Sequence, residues 1–318
     1  MSAGDDSIGF AGVLRGRRVL EISATLAGEQ CGYALGGLGA EVLTVRPAQS
    51  QADESPPRPL DTIKRVVAID AASDAGFAAL AALAATCDLL IEERAPAGWN
   101  AGGPLARRLM ACHPRLIAVC ISPFGISGPH ADHAGYALNC YHAGGAAQQI
   151  PCDALHPEYR ERAPLQPGGQ WGEAQAGTLA AVIALACLLD RDRHAGALID
   201  CSKQEALISY NWIDVARFPN QGRSPTRLAP LATIVGGILP TCDGFVEIAV
   251  REDHQWAALA DLLGQPQWAH DPRFATRAAR SARWQEIAAM LAGQTRVLAA
   301  RRLPAASPPP SAVHRSRW

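Results

Sequence analysis

Glu173 stands in the stretch Gly168–Ser202, GGQWGEAQAGTLAAVIALACLLDRDRHAGALIDCS, where residue type and spacing both favour chemistry. A glycine-rich turn opens a long apolar helix there, and Glu173 falls at its start, after Gly172 and before Gly177. The free N–H groups and the dipole of a helix N-terminus favour an ionised carboxylate. Glycine removes the side-chain wall that would keep a ligand away. Glu173 is thus a candidate nucleophile or base; an acidic residue that merely complements the dipole is the alternative.

Other reactive side chains fall in PFGISGPHADHAGYALNCYHAGGAAQQ, after a strand end. His130, His133 and His142 lack the spacing of a helix-borne metal pair, so no metal site is expected. Tyr136 and Tyr141 offer hydroxyls to a substrate carbonyl or carboxylate, or rings to the packing. No G-x-x-x-x-G-K-[ST], H-E-x-x-H, G-x-S-x-G or C-x-x-C motif occurs. Nine cysteines, an odd number without close pairs, suggest reduced thiols in a cytoplasmic protein. The net charge of −1 gives no reason to expect nucleic acid or an anionic membrane as partner. Lysine occurs only at Lys64 and Lys203, which reads as compositional bias. The acidic N-terminus lacks a signal-peptide core, and the apolar run Ala176–Leu189 is shorter than the roughly 20 residues of a membrane span, so it reads as a buried helix.

The elements that must position these residues alternate. RRVLEIS, LAGEQCGYALGGLG and AEVLTVRP read as strand, helix and strand, with Gly39 at a left-handed helix end. KRVVAID, DAGFAALAALAATC and DLLIEE repeat the pattern, and a helix near Leu105–Cys112 precedes the strand PRLIAVCIS. This rhythm predicts an α/β fold: a Rossmann-like, mostly parallel sheet covered on both faces. Ligands then sit beyond the carboxyl ends of the strands. Gln49–Leu60 and Pro151–Pro167 read as loops, KQEALISYNWIDVARF as one helix, and SPTRLAPLATIVGGILPTCDGFVEIAV as a hairpin turning at Cys242–Gly244. The expected division is a large α/β domain over residues 1–222, a smaller α+β domain over 223–303, and a Pro/Arg tail over 304–318.

The order of these segments over Val13–Arg280 resembles the class III CoA-transferase family, which includes formyl-CoA and carnitine CoA-transferases and alpha-methylacyl-CoA racemase. The matching pieces run from RVLEISATLAGEQCGYALGGLGAEVLTV through HPRLIAVCISPFGISGPHADHAGY and GEAQAGTLAAVIALACLLDRDRHAGALIDCS to DGFVEIAVREDHQWAALADLLG and DPRFATRAAR. The resemblance implies transfer of coenzyme A from an acyl-CoA donor to a carboxylic acid acceptor. An acyl anhydride and then a CoA thioester would form at Glu173, where the family carries aspartate. It further implies Tyr136 beside the acyl group, Ala27 and Gly28 against the CoA arm, and no permanently bound cofactor.

The family's Asn-Phe-Arg-Pro-Gly turn is replaced by EERAPAG, so Lys64, Arg65 or Arg94 are the candidate phosphate contacts. A homodimer, interlocked in the family, or a heterodimer with a homologue is the expected assembly. The alternatives are a non-catalytic homologue or partner subunit and, third, a racemase, against which Tyr136 argues because racemases carry histidine there. Acyl selectivity is expected near a loop containing Gly236 and Gly237, and the proline- and arginine-rich tail reads as a truncated or frame-shifted end.

Overall fold

The computed structural model describes residues 12–47, 59–94, 103–147, 165, 167–191, 196–222 and 235–298. The expected tail and most of the two expected loops lie outside them. The chain divides into two compact units, one carrying the elements described up to Ser224 and the other those after Pro225.

The first unit is built on six parallel strands: β1 (Arg18–Ile22), β2 (Glu41–Arg46), β3 (Arg65–Ala68), β4 (Leu89–Glu93), β5 (Ile117–Ser122) and β6 (Leu198–Ser202). They pair in the order β3-β2-β1-β4-β5-β6. The chain winds outward from β1 in one direction and from β4 in the other, so the crevice beyond their carboxyl ends is the topological switch point. The helices are α1 (Leu26–Gly37), α2 (Asp74–Ala84), α3 (Leu105–Cys112), α4 (Ala137–Ala143), α5 (Trp171–Leu189), α6 (Lys203–Tyr210) and α7 (Trp212–Gln221).

Side chains alternate between the two faces of each strand. Val19, Leu89, Ile91, Ile117, Val119 and Ile121 pack with residues of α1 and α5. Leu20, Leu90, Ala118 and Cys120 pack instead with residues of α2 and α3. The same parity sends Glu93 toward α1 and Glu92 toward α3, which decides what the two carboxylates do. Glu92 accepts from the N–H groups of Leu105 (2.9 Å) and Ala106 (2.6 Å), capping α3. Burial pushes its pKa up, partly countered by these two N–H groups.

The helices α1 and α5 approach closely because small residues face each other. A Cβ on Gly177 would lie 2.2 Å from the Ala27 carbonyl oxygen, so only glycine fits. Gly39 has φ 101° just past α1, as expected of a left-handed helix end.

Two expectations are corrected. KQEALISYNWIDVARF is two helices, α6 and α7, broken at Asn211. The helix α5 is buried on one face only: Ala176, Gly177, Ala180, Ala181, Ala184 and Leu188 are enclosed, whereas Val182 and Leu189 are exposed. Its length and composition would suffice to cross a membrane, but its small-residue face is spent on α1 and the sheet.

The second unit is a hairpin, β7 (Val235–Thr241) and β8 (Gly244–Val250), with α8 (Asp253–Leu262), α9 (Arg277–Ala282) and α10 (Trp284–Thr295). Its core is aromatic and aliphatic, including Trp256, Phe274, Trp284, Ile287 and Leu291. Gly236 and Gly237 lie within β7, opposite Ala249 and Ile248, rather than in a loop.

Candidate active site

The first turn of α5 places Glu173 among three side chains from other elements. Gln170 is the N-cap, with φ 53° and ψ 39°, the one non-glycine left-handed residue among those described. That conformation costs about 1–2 kcal/mol, and it lies three residues before the candidate nucleophile, where strain is often functional. The carbonyl of Gln170 accepts from the N–H groups of Glu173 (3.0 Å) and Ala174 (3.2 Å), which closes the turn.

Glu93 ends β4 and points into the switch crevice at the N-terminus of α1. Its Oε2 accepts from the backbone N–H of Thr25 (2.9 Å) and of Gly28 (3.0 Å). A threonine N-cap ordinarily caps with its own side chain. Here Glu93 performs that task, and the Thr25 hydroxyl is released toward the cluster, where it meets Glu173 Oε2 at 2.7 Å and also Glu93 Oε1.

The fourth member is Lys203, first residue of α6, set at the same edge of the sheet by the tight junction from β6. Ser202 caps that helix through the Glu205 N–H. Lys203 Nζ lies 2.7 Å from Glu173 Oε2, 2.8 Å from Glu93 Oε1 and 2.9 Å from Thr25 Oγ1. Three donors meet three acceptors, so the ammonium is fully coordinated. Glu173 is 4% exposed and Lys203 1%. Burial by itself would lower the Lys203 pKa, but the carboxylates of Glu93 and Glu173 hold it above the ordinary lysine value.

With all three ionised, the cluster holds two carboxylates and one ammonium. Both hydrogen bonds described for the Glu173 side chain fall on Oε2. That leaves Oε1 as the oxygen to attack an electrophile, with Oε2 facing the Lys203 ammonium and the Thr25 hydroxyl, whose one proton serves either Glu173 Oε2 or Glu93 Oε1. Cys140 is close enough to feel Lys203 and Glu173, but burial pushes its thiol up to about 11, which removes it as a rival nucleophile at neutral pH.

The other anticipated residues are placed differently. Tyr136 is 67% exposed, and its N–H bonds Asn139 Oδ1 at 3.1 Å at the start of α4. Tyr141, by contrast, is buried and meets the Trp171 ring edge-on at 5.7 Å between centroids. A cavity of about 10 Å³, room for one water, is lined there by Tyr141, Gln170, Trp171 and Gly172.

Ala27 is fully buried with its carbonyl against Gly177, and the Gly28 N–H is taken by Glu93. Gly177 likewise serves helix packing, not ligand approach.

Lys64 is no surface cation: its side chain is 0% exposed and bonds Glu21 Oε2 and the Glu29 carbonyl, both at 2.8 Å. Arg65 begins β3, exposed, beside a groove of about 360 Å³ also lined by Arg18, Glu41 and Cys87. These are the amino ends of the strands, the far edge from Glu173. Arg94 follows Glu93 directly and is half-buried, its N–H bonding the Ile121 carbonyl at 2.9 Å. The Nδ1 atoms of His130 and His133 are 3.1 Å apart, and His142 turns to the Leu165 carbonyl. No metal-binding group of three or more ligands occurs among the described residues.

Thr25, Glu93 and Lys203 did not emerge from the sequence reading. The available signal was that the chain's only two lysines stand just before a strand (Lys64) and at a helix start (Lys203).

The fold and this edge define a doubly wound α/β protein with a buried carboxylate–ammonium site at its switch point. The sequence profile of CoA-transferase family III matches residues 14–316, and the chain belongs to that family. It is 30% identical over 297 residues to the succinyl-CoA–D-citramalate CoA-transferase of Chloroflexus aurantiacus, covering 87% of this chain and 71% of that one. It is 27% identical over 303 residues to the succinate–glutarate CoA-transferase of Agrobacterium fabrum, with 89% and 74% covered. A CAIB/BAIF family protein from Brucella suis superposes with a TM-score of 0.71 at 26% identity, over 90% of this chain and 79% of that one.

Proposed function

We propose that the chain transfers CoA from an acyl-CoA donor to a carboxylate acceptor with Glu173 as the covalent nucleophile. The observation that carries this is the Glu173 carboxylate in the first turn of α5, its Oε2 held by Lys203 and Thr25. Oε1 attacks the thioester carbonyl, the C–S bond breaks, and CoA leaves as thiolate, giving a mixed anhydride. The thiolate then attacks the Glu173 carboxyl carbon. Negative charge develops on Oε2, where the Lys203 ammonium donates and the one Thr25 hydroxyl proton can turn from Glu93 Oε1, so these two form an oxyanion site on the enzyme's own carboxyl group. The donor acid departs as carboxylate and leaves a Glu173–CoA thioester. An acceptor carboxylate reverses both steps and carries CoA away.

Succinyl-CoA, which is named for the Chloroflexus relative, is the first donor to try, with dicarboxylates as acceptors. A homodimer in the cytoplasm completes the proposal. Incubation with succinyl-CoA and intact-mass measurement should reveal a CoA adduct that Glu173→Gln abolishes. If no donor in an acyl-CoA panel yields an adduct or transfer, the chain is a non-catalytic homologue.

A further inference from the structure

Lys203 stands where an amine endangers the reaction just described. Its Nζ is 2.7 Å from Glu173 Oε2, so once Oε1 carries the acyl group the Glu173 carboxyl carbon, bonded to Oε2, is an electrophile within about 3–3.5 Å of that nitrogen, the range of a near-attack conformer. A neutral amine at that distance would attack that carbon. The bond from the carbon to Oε1 would break, an amide bond from Lys203 Nζ to the Glu173 carboxyl carbon would form, the donor acid would leave as carboxylate, and the amine proton would pass to solvent. The product, a Glu173–Lys203 crosslink, would end turnover. An ammonium has no lone pair and cannot attack.

Glu173 cannot keep Lys203 protonated through this stage, because an acylated carboxyl carries no charge. Glu93 can. Its Oε1 lies 2.8 Å from Nζ, its side chain is 0% exposed, and its Oε2 is pinned by the N–H groups of Thr25 and Gly28 whatever happens at Glu173. The charge count agrees. The resting cluster has two carboxylates against one ammonium, and acylation of Glu173 leaves a one-to-one pair. Buried charge is best balanced in the intermediate, which favours forming it.

We propose that Glu93 is the standing counter-ion of Lys203, keeping it an ammonium that can donate to Oε2 but cannot attack the Glu173 carboxyl carbon while Glu173 carries the acyl group or CoA. This rests on Glu173 as nucleophile; Glu93 itself is a positioning residue that acts through Lys203.

The test is peptide mapping by mass spectrometry after turnover with succinyl-CoA and succinate. Wild type should remain linear and show no Glu173–Lys203 crosslinked peptide after many turnovers. Glu93→Gln should start, then lose activity to baseline as the Glu173–Lys203 amide accumulates, one water lighter than the two peptides together. Glu93→Gln with Lys203→Arg should show slow, steady turnover without the amide, because a guanidinium does not deprotonate. The proposal is overturned if wild type accumulates the Glu173–Lys203 crosslink. It is equally overturned if Glu93→Gln, folded by circular dichroism, forms the Glu173 adduct yet turns over linearly with Lys203 unmodified. Should Glu93→Gln fail to fold, the wild-type map decides alone. Absence of any Glu173 adduct in wild type instead sinks the catalytic reading, which separates the two failures.

Discussion

Lys203 is the residue through which the others act, since each remaining polar side chain of the cluster touches it. Lys203→Met would leave two buried carboxylates facing each other and remove the ammonium donor on Oε2. Loss of one such donor typically lowers kcat by about 10²–10³, and that is the expected loss in succinyl-CoA exchange. Lys203→Arg, which keeps the charge but not the compact ammonium, should lose less.

Stability gives an independent reading of the same residue. The folded-state pKa of Lys203 lies above the ordinary value of 10.5. Its contribution is therefore fully present below about pH 10.5 and is lost as pH rises through the higher folded value. Thermal melts of wild type should fall more steeply above that pH than those of Lys203→Met. Equal slopes would remove the claim that the ion pair stabilises the fold. Glu173 was legible in the sequence because helix-start glycines and a lone acid are local signals. Lys203 was not, since nothing local says that a helix-opening lysine will reach across β5 to a carboxylate on β4.

Among the elements, β4 does most to organise the site, and its sequence contained more than a periodicity reading extracts. LLIEE alternates faces to its end, so the last two residues must cap helices on opposite sides of the sheet. Recognising the strand was a matter of apolar run and length; seeing which helix each glutamate meets required the sheet order. The break at Asn211 was illegible for a similar reason: KQEALISY and WIDVARF each read as helix, and no proline or glycine separates them.

The contact between α1 and α5 supports a sharper expectation. Gly177→Val would drive a branched side chain into the Ala27 carbonyl and force the helices apart. Overpacking of that kind costs about 1–3 kcal/mol, measurable by urea denaturation. Because α1 carries Thr25 and α5 carries Glu173, adduct formation should drop as well. A stable variant with normal adduct yield would show that this close approach does not set the site.

At the scale of the whole molecule, the basic residues divide by chemistry. Arginine supplies 27 of the 29 basic residues (29 − 2) and lysine two, and both lysine side chains are enclosed, Lys64 at 0% and Lys203 at 1% exposed. What first reads as compositional bias is thus also a spatial pattern. Each lysine joins a buried carboxylate of the same unit: Lys64 meets Glu21 between α1 and the sheet, and Lys203 meets Glu93 and Glu173 at the switch point.

Removing one partner of such a pair strands a charge and costs about 3–5 kcal/mol, whereas replacing both by apolar groups is often neutral. Lys64→Met should therefore destabilise strongly, and adding Glu21→Leu should restore much of the loss. The lysines also make the unit report its own opening. An amine-reactive ester should leave Lys64 and Lys203 unmodified in the native protein and label both in urea, as read by peptide mapping. If the two label in parallel across a urea series, they follow one cooperative unfolding. Earlier labelling of Lys203 alone would mean that the switch-point edge opens before the sheet does, the kind of local opening that would admit a thioester to a carboxylate now 4% exposed.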